Sequence, residues 1–351
     1  MFRLAIALLL LLPAIARAQG NPIAHFNDEA YWQQCPMVRQ LPASPIKASD
    51  TAIVVVSNRK PSNDALRYMS EERDGDTLRY YFVYSRGGKW NVLQVASLEK
   101  AIQYMPDKSR DWVMCTEGMG KLFTTDLYRG MSMAGQYGVN VILFDYPSIT
   151  TTKKSLGNYF FAIGNARTAY KDFTPAFEDV KRLKEAGKLG TGNISMFYHS
   201  MGNHVIRQMV KRDKIDKLNG EVWISNVILN AACVPRRGHK RWINNIAFAK
   251  GIYINYNQDD LTLKMAYLAG KKIQLGNKPV RNISSKAHYV NFNTLCGSGH
   301  SNFLSLAGRE PAKPVALQYY HTILHGQAPD MKDAKLFGVS SFKKIGVELN
   351  P

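Results

Sequence analysis

From residue 51 to residue 325 the chain alternates short runs that are apolar at nearly every position with longer stretches whose apolar residues recur three and four apart. The short runs are 51–57, 111–116, 139–145, 194–199, 222–230, 251–256 and 288–295. A segment of that length without a polar face fits a strand covered by helices on both sides, the usual state of a parallel strand. Helical spacing begins at about Thr125, at Asn203 and at Pro311, the last running to His325. Thr174-Pro175 reads as an N-cap followed by a first-turn proline, opening a helix that runs to about Ala186 and stops before Gly187. Residues 79–84 and 90–94 flank Gly87-Gly88 and read as an antiparallel pair. Strands alternating with helices over residues 110–325 predict an α/β fold, a mostly parallel sheet of about eight strands with helices on both faces. No stretch between residues 50 and 325 has linker composition, so 51–326 reads as one domain. It is preceded by a Pro-rich, polar arm at 19–50 and followed by an exposed, basic tail at 327–351.

The sharpest break in this pattern is at Ser200. The run 194–199 ends in His199-Ser200-Met201-Gly202-Asn203, and helical spacing resumes at once through Val205, Ile206, Met209 and Val210. A serine at a strand-to-helix corner is held in a strained backbone conformation, with its hydroxyl above the sheet edge and the next amides pointing at whatever lies over it. Glycines two before and two after the serine normally permit the corner, because a Cβ there meets the neighbouring strand or helix. Gly202 meets that requirement and Tyr198 does not.

The corner resembles the nucleophile elbow of the alpha/beta hydrolase superfamily, most closely that of a bacterial subfamily of unknown function with Ala-His-Ser-Met-Gly-Asn there. The resemblance covers roughly residues 51–305. It takes in Ser57-Asn58-Arg59-Lys60, to which no chemistry attaches, and the Phe-x-x-Pro-Ser pattern of Phe144 and Pro147-Ser148. The fold's chain order of serine, acid, histidine implies that Ser200 is the nucleophile. The acid is Asp260, which matches the subfamily's Asn-Asp-x-x-Leu, with Asp259 as the substitute. The base is His300, on the loop after Cys296-Gly297-Ser298-Gly299; His288 and His199 are poorer candidates. The oxyanion hole implied is the backbone N–H of Met201 with that of Met119. Where such enzymes usually carry His-Gly after the preceding strand, this chain has Glu117-Gly118. A carboxylate there opposes developing negative charge unless it points away or is neutralised. The reading is an exported serine hydrolase, an esterase or lipase-like acyl hydrolase. The alternative is a hydrolase-fold binding protein impaired by Tyr198 and Glu117.

Other features set the context. Arg3, the apolar run 4–15 and Ala16-Arg17-Ala18 read as a secretory signal peptide (1–18), predicting a soluble periplasmic or secreted protein. The chain's formal charge is +19, and +17 without the leader's Arg3 and Arg17. In an exported protein this points to an anionic membrane or polysaccharide surface, or else to charge spread for solubility; the hydrolase resemblance implies a small-molecule or lipid ester substrate, and nothing in the chain matches a nucleic-acid motif. Residues 148–165, with Tyr159, Phe160 and Phe161, are the candidate lid or wall over the serine, or else a loop packing its aromatics inward. The loop Val234-Pro235-Arg236-Arg237-Gly238-His239-Lys240-Arg241 is basic at the carboxyl end of a strand, where active sites of open sheets lie. Cys115 and Cys233 fall in buried strands, and Cys35 could bridge to Cys296. No cofactor or metal is implied by any ligand spacing.

Overall fold

The computed structural model describes residues 36–351 apart from 43–45, 48, 64–68, 76, 87, 213, 281 and 308–309. The expected leader, most of the arm and Cys35 lie outside the described residues, and Cys296 carries a free thiol. Twelve strands form one sheet among the described residues. In spatial order they are β1 (Met37–Val38), β6 (Lys89–Val95), β5 (Arg79–Arg86), β2 (Ala52–Ser57), β8 (Asn140–Asp145), β7 (Trp112–Thr116), β9 (Ile194–His199), β10 (Ile224–Asn230), β11 (Ala249–Tyr256), β12 (His288–Asn291), β14 (Val347–Leu349) and β13 (Phe337–Val339). Strands β3 (Arg59–Pro61) and β4 (Met69–Arg73) pair separately.

The eight strands from β2 to β14 run parallel. Antiparallel β5 and β6 flank them on one side and β13 on the other. Period-2 alternation sends successive side chains to opposite faces, and each face has its own core. Val54, Met114, Ile142, Met196, Tyr198 and Val227 pack with helices α1 (Leu98–Gln103), α3 (Ser155–Glu185) and α4 (Asn203–Lys211). Ile53, Val113, Leu143, Phe197 and Ile228 pack with α2 (Phe123–Tyr137) and α6 (Pro314–Leu324). Helix α5 (Leu261–Gly270) lies beyond the carboxyl end of β11. No helix among the described residues is long and apolar enough to cross a membrane.

Three local expectations fail, each for a tertiary reason. Thr174-Pro175 does not start a helix; Pro175 lies inside the 31-residue α3, and the Thr174 hydroxyl donates back to the Tyr170 carbonyl at 2.6 Å. Burial of Phe173, Ala176, Phe177 and Val180 on one face holds the helix through the proline. The strand expected at 288–295 ends at Asn291, and Asn293–Cys296 turns helical. The segment 327–351 is not an exposed tail, because β14 adds to β12 and buries Glu348 and Leu349, with Phe337 buried beside them.

Candidate active site

The elbow forms as strand β9, a 3₁₀ turn at Ser200–Gly202 and then α4. Ser200 has φ +49° and is almost fully buried. A left-handed conformation costs a residue with a Cβ about 1–2 kcal/mol, so surrounding bonds must hold it. Asn203 does much of this: its side-chain amide donates to the carbonyls of Tyr198 (2.9 Å) and Ser200 (3.0 Å), while the Cys233 N–H donates to Ser200 O at 3.0 Å. At Gly202 an added Cβ would lie 2.5 Å from Thr116 O and 2.6 Å from Glu117 O, so only glycine lets α4 start this close to β7. Tyr198, the other departure from the expected corner, buries its ring in the α3/α4 core, with its hydroxyl 3.6 Å from Met196 Sδ. The opposite face of β9 carries Phe197 and His199, so Tyr198 does not cover the serine.

The loop after β7 runs directly over this corner. A Cβ on Gly118 would lie 2.7 Å from Ser200 Cβ and 3.3 Å from Met201 N. The neighbouring Glu117 is buried, and Arg129 of α2 neutralises it: Nε donates to Oε1 at 2.6 Å, and the Gly118 N–H approaches Oε2 at 3.3 Å. The Arg129 guanidinium also lies 5.1 Å from the centre of the Phe303 ring. Neither the Met119 nor the Met201 amide donates to another group among the described residues. The side chains of both join Tyr159, Ala162, Ala231, Cys233, Leu263 and Ala266 in one apolar cluster. Of the expected wall at 148–165, Tyr159 thus packs inward while Leu156 and Phe160 of the same helix stay exposed.

Ser57-Asn58-Arg59-Lys60, mute in the sequence, anchors the far end of the same loop. Arg59 is fully buried and pairs with Asp145 at 2.9 Å; its Nη2 donates to the carbonyls of Lys121 (3.1 Å) and Tyr146 (2.8 Å). Asp126, at the start of α2, is buried without a partner for its Oδ1. Burial, and then the charges of Asp145 and Glu117, raise its pKa well above the ordinary carboxylate value.

Asp260 caps α5: its Oδ1 accepts the Leu263 N–H at 2.9 Å, and its Oδ2 accepts from His300 Nδ1 at 2.6 Å. It is fully buried, whereas Asp259 is exposed and pairs with Lys264 at 2.8 Å. The glycine loop carrying His300 is clamped by Asn257, whose side-chain amide donates to the carbonyls of Gly297 (2.8 Å) and Gly299 (3.0 Å). The His199 ring centre lies 4.8 Å from that of His300. Its Nδ1 is 3.1 Å from the Asn230 side-chain amide and its Nε2 is 3.2 Å from Ser301 Oγ. Burial, and then the neighbouring charges of His300, Arg129 and Lys121, hold its pKa well below the usual imidazole range, so His199 stays neutral.

Sequence reasoning passed over Arg129 and Asn257 and attached no chemistry to Arg59. Asn257 left a local trace, as the first residue after β11 in the polar run Asn257-Gln258-Asp259-Asp260.

A parallel sheet with an elbow serine after β9, an acid after β11 and a histidine on the loop after β12 defines a protein of the hydrolase fold. The chain belongs to a family described as alpha/beta hydrolase of unknown function (DUF900), whose profile matches residues 94–304. No curated protein and no solved structure matches the chain.

Proposed function

We propose that the protein is an exported serine hydrolase that cleaves carboxylic esters. The observation carrying this reading is the 2.6 Å contact between His300 Nδ1 and Asp260 Oδ2. With Nδ1–H committed to the carboxylate, the imidazole keeps Nε2 as its acceptor, the tautomer a general base needs. Ser200 Oγ attacks the acyl carbon as His300 takes its proton, and the amides of Met201 and Met119 receive the oxyanion. Collapse of the tetrahedral intermediate breaks the bond to the alcohol, which leaves with the proton held by His300. Water, deprotonated by the same imidazole, then releases the acid and restores Ser200. The apolar cluster of Met119, Met201, Tyr159 and Leu263 favours a hydrocarbon acyl chain. The Glu117–Arg129 pair removes the electrostatic objection to an oxyanion beside Gly118.

The test is labelling with a fluorophosphonate, followed by turnover of p-nitrophenyl esters of increasing chain length. Wild-type protein reacts and Ser200→Ala does not. Equal labelling of the two overturns the assignment.

The same reading takes an anionic lipid surface as the place where such substrates are met. Leu261, Met265 and Leu268 form a stripe on α5 opposite its buried Leu263 and Ala266, and both leucines are exposed. An exposed apolar stripe on a surface helix that already buries its opposite face calls for an apolar partner. Residues 150–171 and 261–281 together hold nine basic and no acidic residues, which complements an anionic bilayer. Sedimentation with phosphatidylglycerol vesicles but not phosphatidylcholine vesicles, weakened by salt and by Leu268→Asp, is the expected result. Binding indifferent to lipid charge removes the proposal.

A further inference from the structure

Beyond the apolar cluster lie two arginines with no counter-ion among the described residues. Arg167 of α3 and Arg207 of α4 are each half-buried, and the Nε of each is buried without an acceptor. No carboxylate among the described residues pairs with either guanidinium. The two helices pack together, and the charges sense one another: burial and then Arg167 lower the pKa of Arg207. His204, one turn before Arg207 on α4, is fully buried, and its pKa is pushed down to about 3 by burial, then by Arg167 and Arg207, with Lys272 adding to the effect. It therefore brings no charge of its own.

A guanidinium carries five fixed donors, and two such groups on packed helices, each with a buried Nε lacking an acceptor among the described residues, are costly in the empty protein. A carboxylate saturates one planar fork. Two forks from different helices suit an ion presenting oxygens in several directions with more than one negative charge.

The cluster is also in line with the serine. Tyr159, Ile163 and Arg167 follow one another at four-residue spacing along α3, so the guanidinium stands roughly 12 Å along the helix from the Tyr159 end of the cluster. Cys233, whose N–H bonds Ser200 O, lies close enough to Arg167 to feel its charge.

We propose that Arg167 and Arg207 form a phosphoryl-binding subsite that selects esters carrying a phosphate group. The link to ester selection rests on the hydrolase reading above; the anion site itself does not.

Calorimetry on Ser200→Ala with inorganic phosphate, against acetate at equal ionic strength, tests the site without turnover. Saturable phosphate binding is expected, weakened roughly tenfold or more by Arg167→Met or Arg207→Met. Arg182→Met, which removes an exposed pair with Asp179, leaves it unchanged. Arg167→Lys keeps the charge but loses the fork and falls between, which guards against a misfolded methionine variant. In phosphate-free buffer Arg167→Met melts at or above the parent temperature, because a cation without a partner has been removed. Phosphate binding that is absent, or equal in parent and arginine variants, overturns the site.

The kinetic arm compares a phosphate-bearing aryl ester with an uncharged one of equal length. The first has the higher kcat/KM, and Arg167→Met erases the difference. Phosphate binding without that preference overturns the selectivity, whereas phosphate binding by a protein inert towards every ester sinks the hydrolase reading and spares the anion site.

Discussion

The carboxylate of Glu117 and the guanidinium of Arg129 meet inside the protein at 2.6 Å, one residue before the glycine that faces Ser200. Each neutralises the other, so a loop that looks hostile to an oxyanion presents backbone rather than a bare charge.

Removing one partner strands the other. Arg129→Met leaves a buried carboxylate, and the expected loss is about 3–5 kcal/mol by urea unfolding. Adding Glu117→Gln to that variant restores most of the stability. If the double variant is no more stable than Arg129→Met alone, the pair is not what holds the loop.

Gly118→Ala forces a Cβ to within 2.7 Å of Ser200 Cβ, so the loop or the serine must move. Misplacement on that scale costs on the order of 10²-fold in kcat, with a much smaller change in melting temperature. Fluorophosphonate labelling rates report the serine's reactivity directly.

Asp260 has two duties that substitutions separate. Asn keeps an oxygen for the Leu263 N–H but cannot hold the same imidazole tautomer, so kcat falls by roughly 10³–10⁴ with stability nearly intact. Ala also loses the helix cap, a further cost of about 1 kcal/mol seen in urea. Asp259→Asn, on the exposed neighbour, changes neither.

Acid should unfold the protein through its buried histidines. A base whose pKa is depressed on folding binds fewer protons in the native state, so stability present above pH 6.5 is lost as the pH falls towards the folded value. For His204, at about 3, the contribution lost by pH 5 is about 2 kcal/mol. His199 is depressed in the same direction. In phosphate-free buffer, His204→Leu therefore gains on the wild type between pH 7.5 and pH 5, as followed by urea midpoints. Parallel curves would refute the assignment.

What the sequence disclosed follows the range of the forces involved. Strands buried on both faces write their apolar runs locally, and chain order together with the resemblance to the subfamily's Asn-Asp-x-x-Leu named Asp260 and His300, whose Oδ2 and Nδ1 are 2.6 Å apart. Contacts made across the fold leave no such mark. Glu117 looked unfavourable because its counter-charge is supplied by another element, on the far side of the turn into α2. Thr174-Pro175 looked like a helix start because the packing that carries α3 through it is tertiary. The segment 327–351 looked like a tail because β13 and β14 are only three residues each and acquire meaning only beside β12.

The position of β9 in the sheet bears on how activity would fade on warming. Among the described residues six strands lie on one side of it and five on the other, whereas β12 has only β14 and β13 between it and the rim. Fraying starts at margins, where the fewest neighbours hold each backbone amide. Heat should therefore slacken the loop that carries the imidazole while the serine corner is still intact, and turnover should vanish at a lower temperature than the protected amides of β7, β9 and β10 begin to exchange.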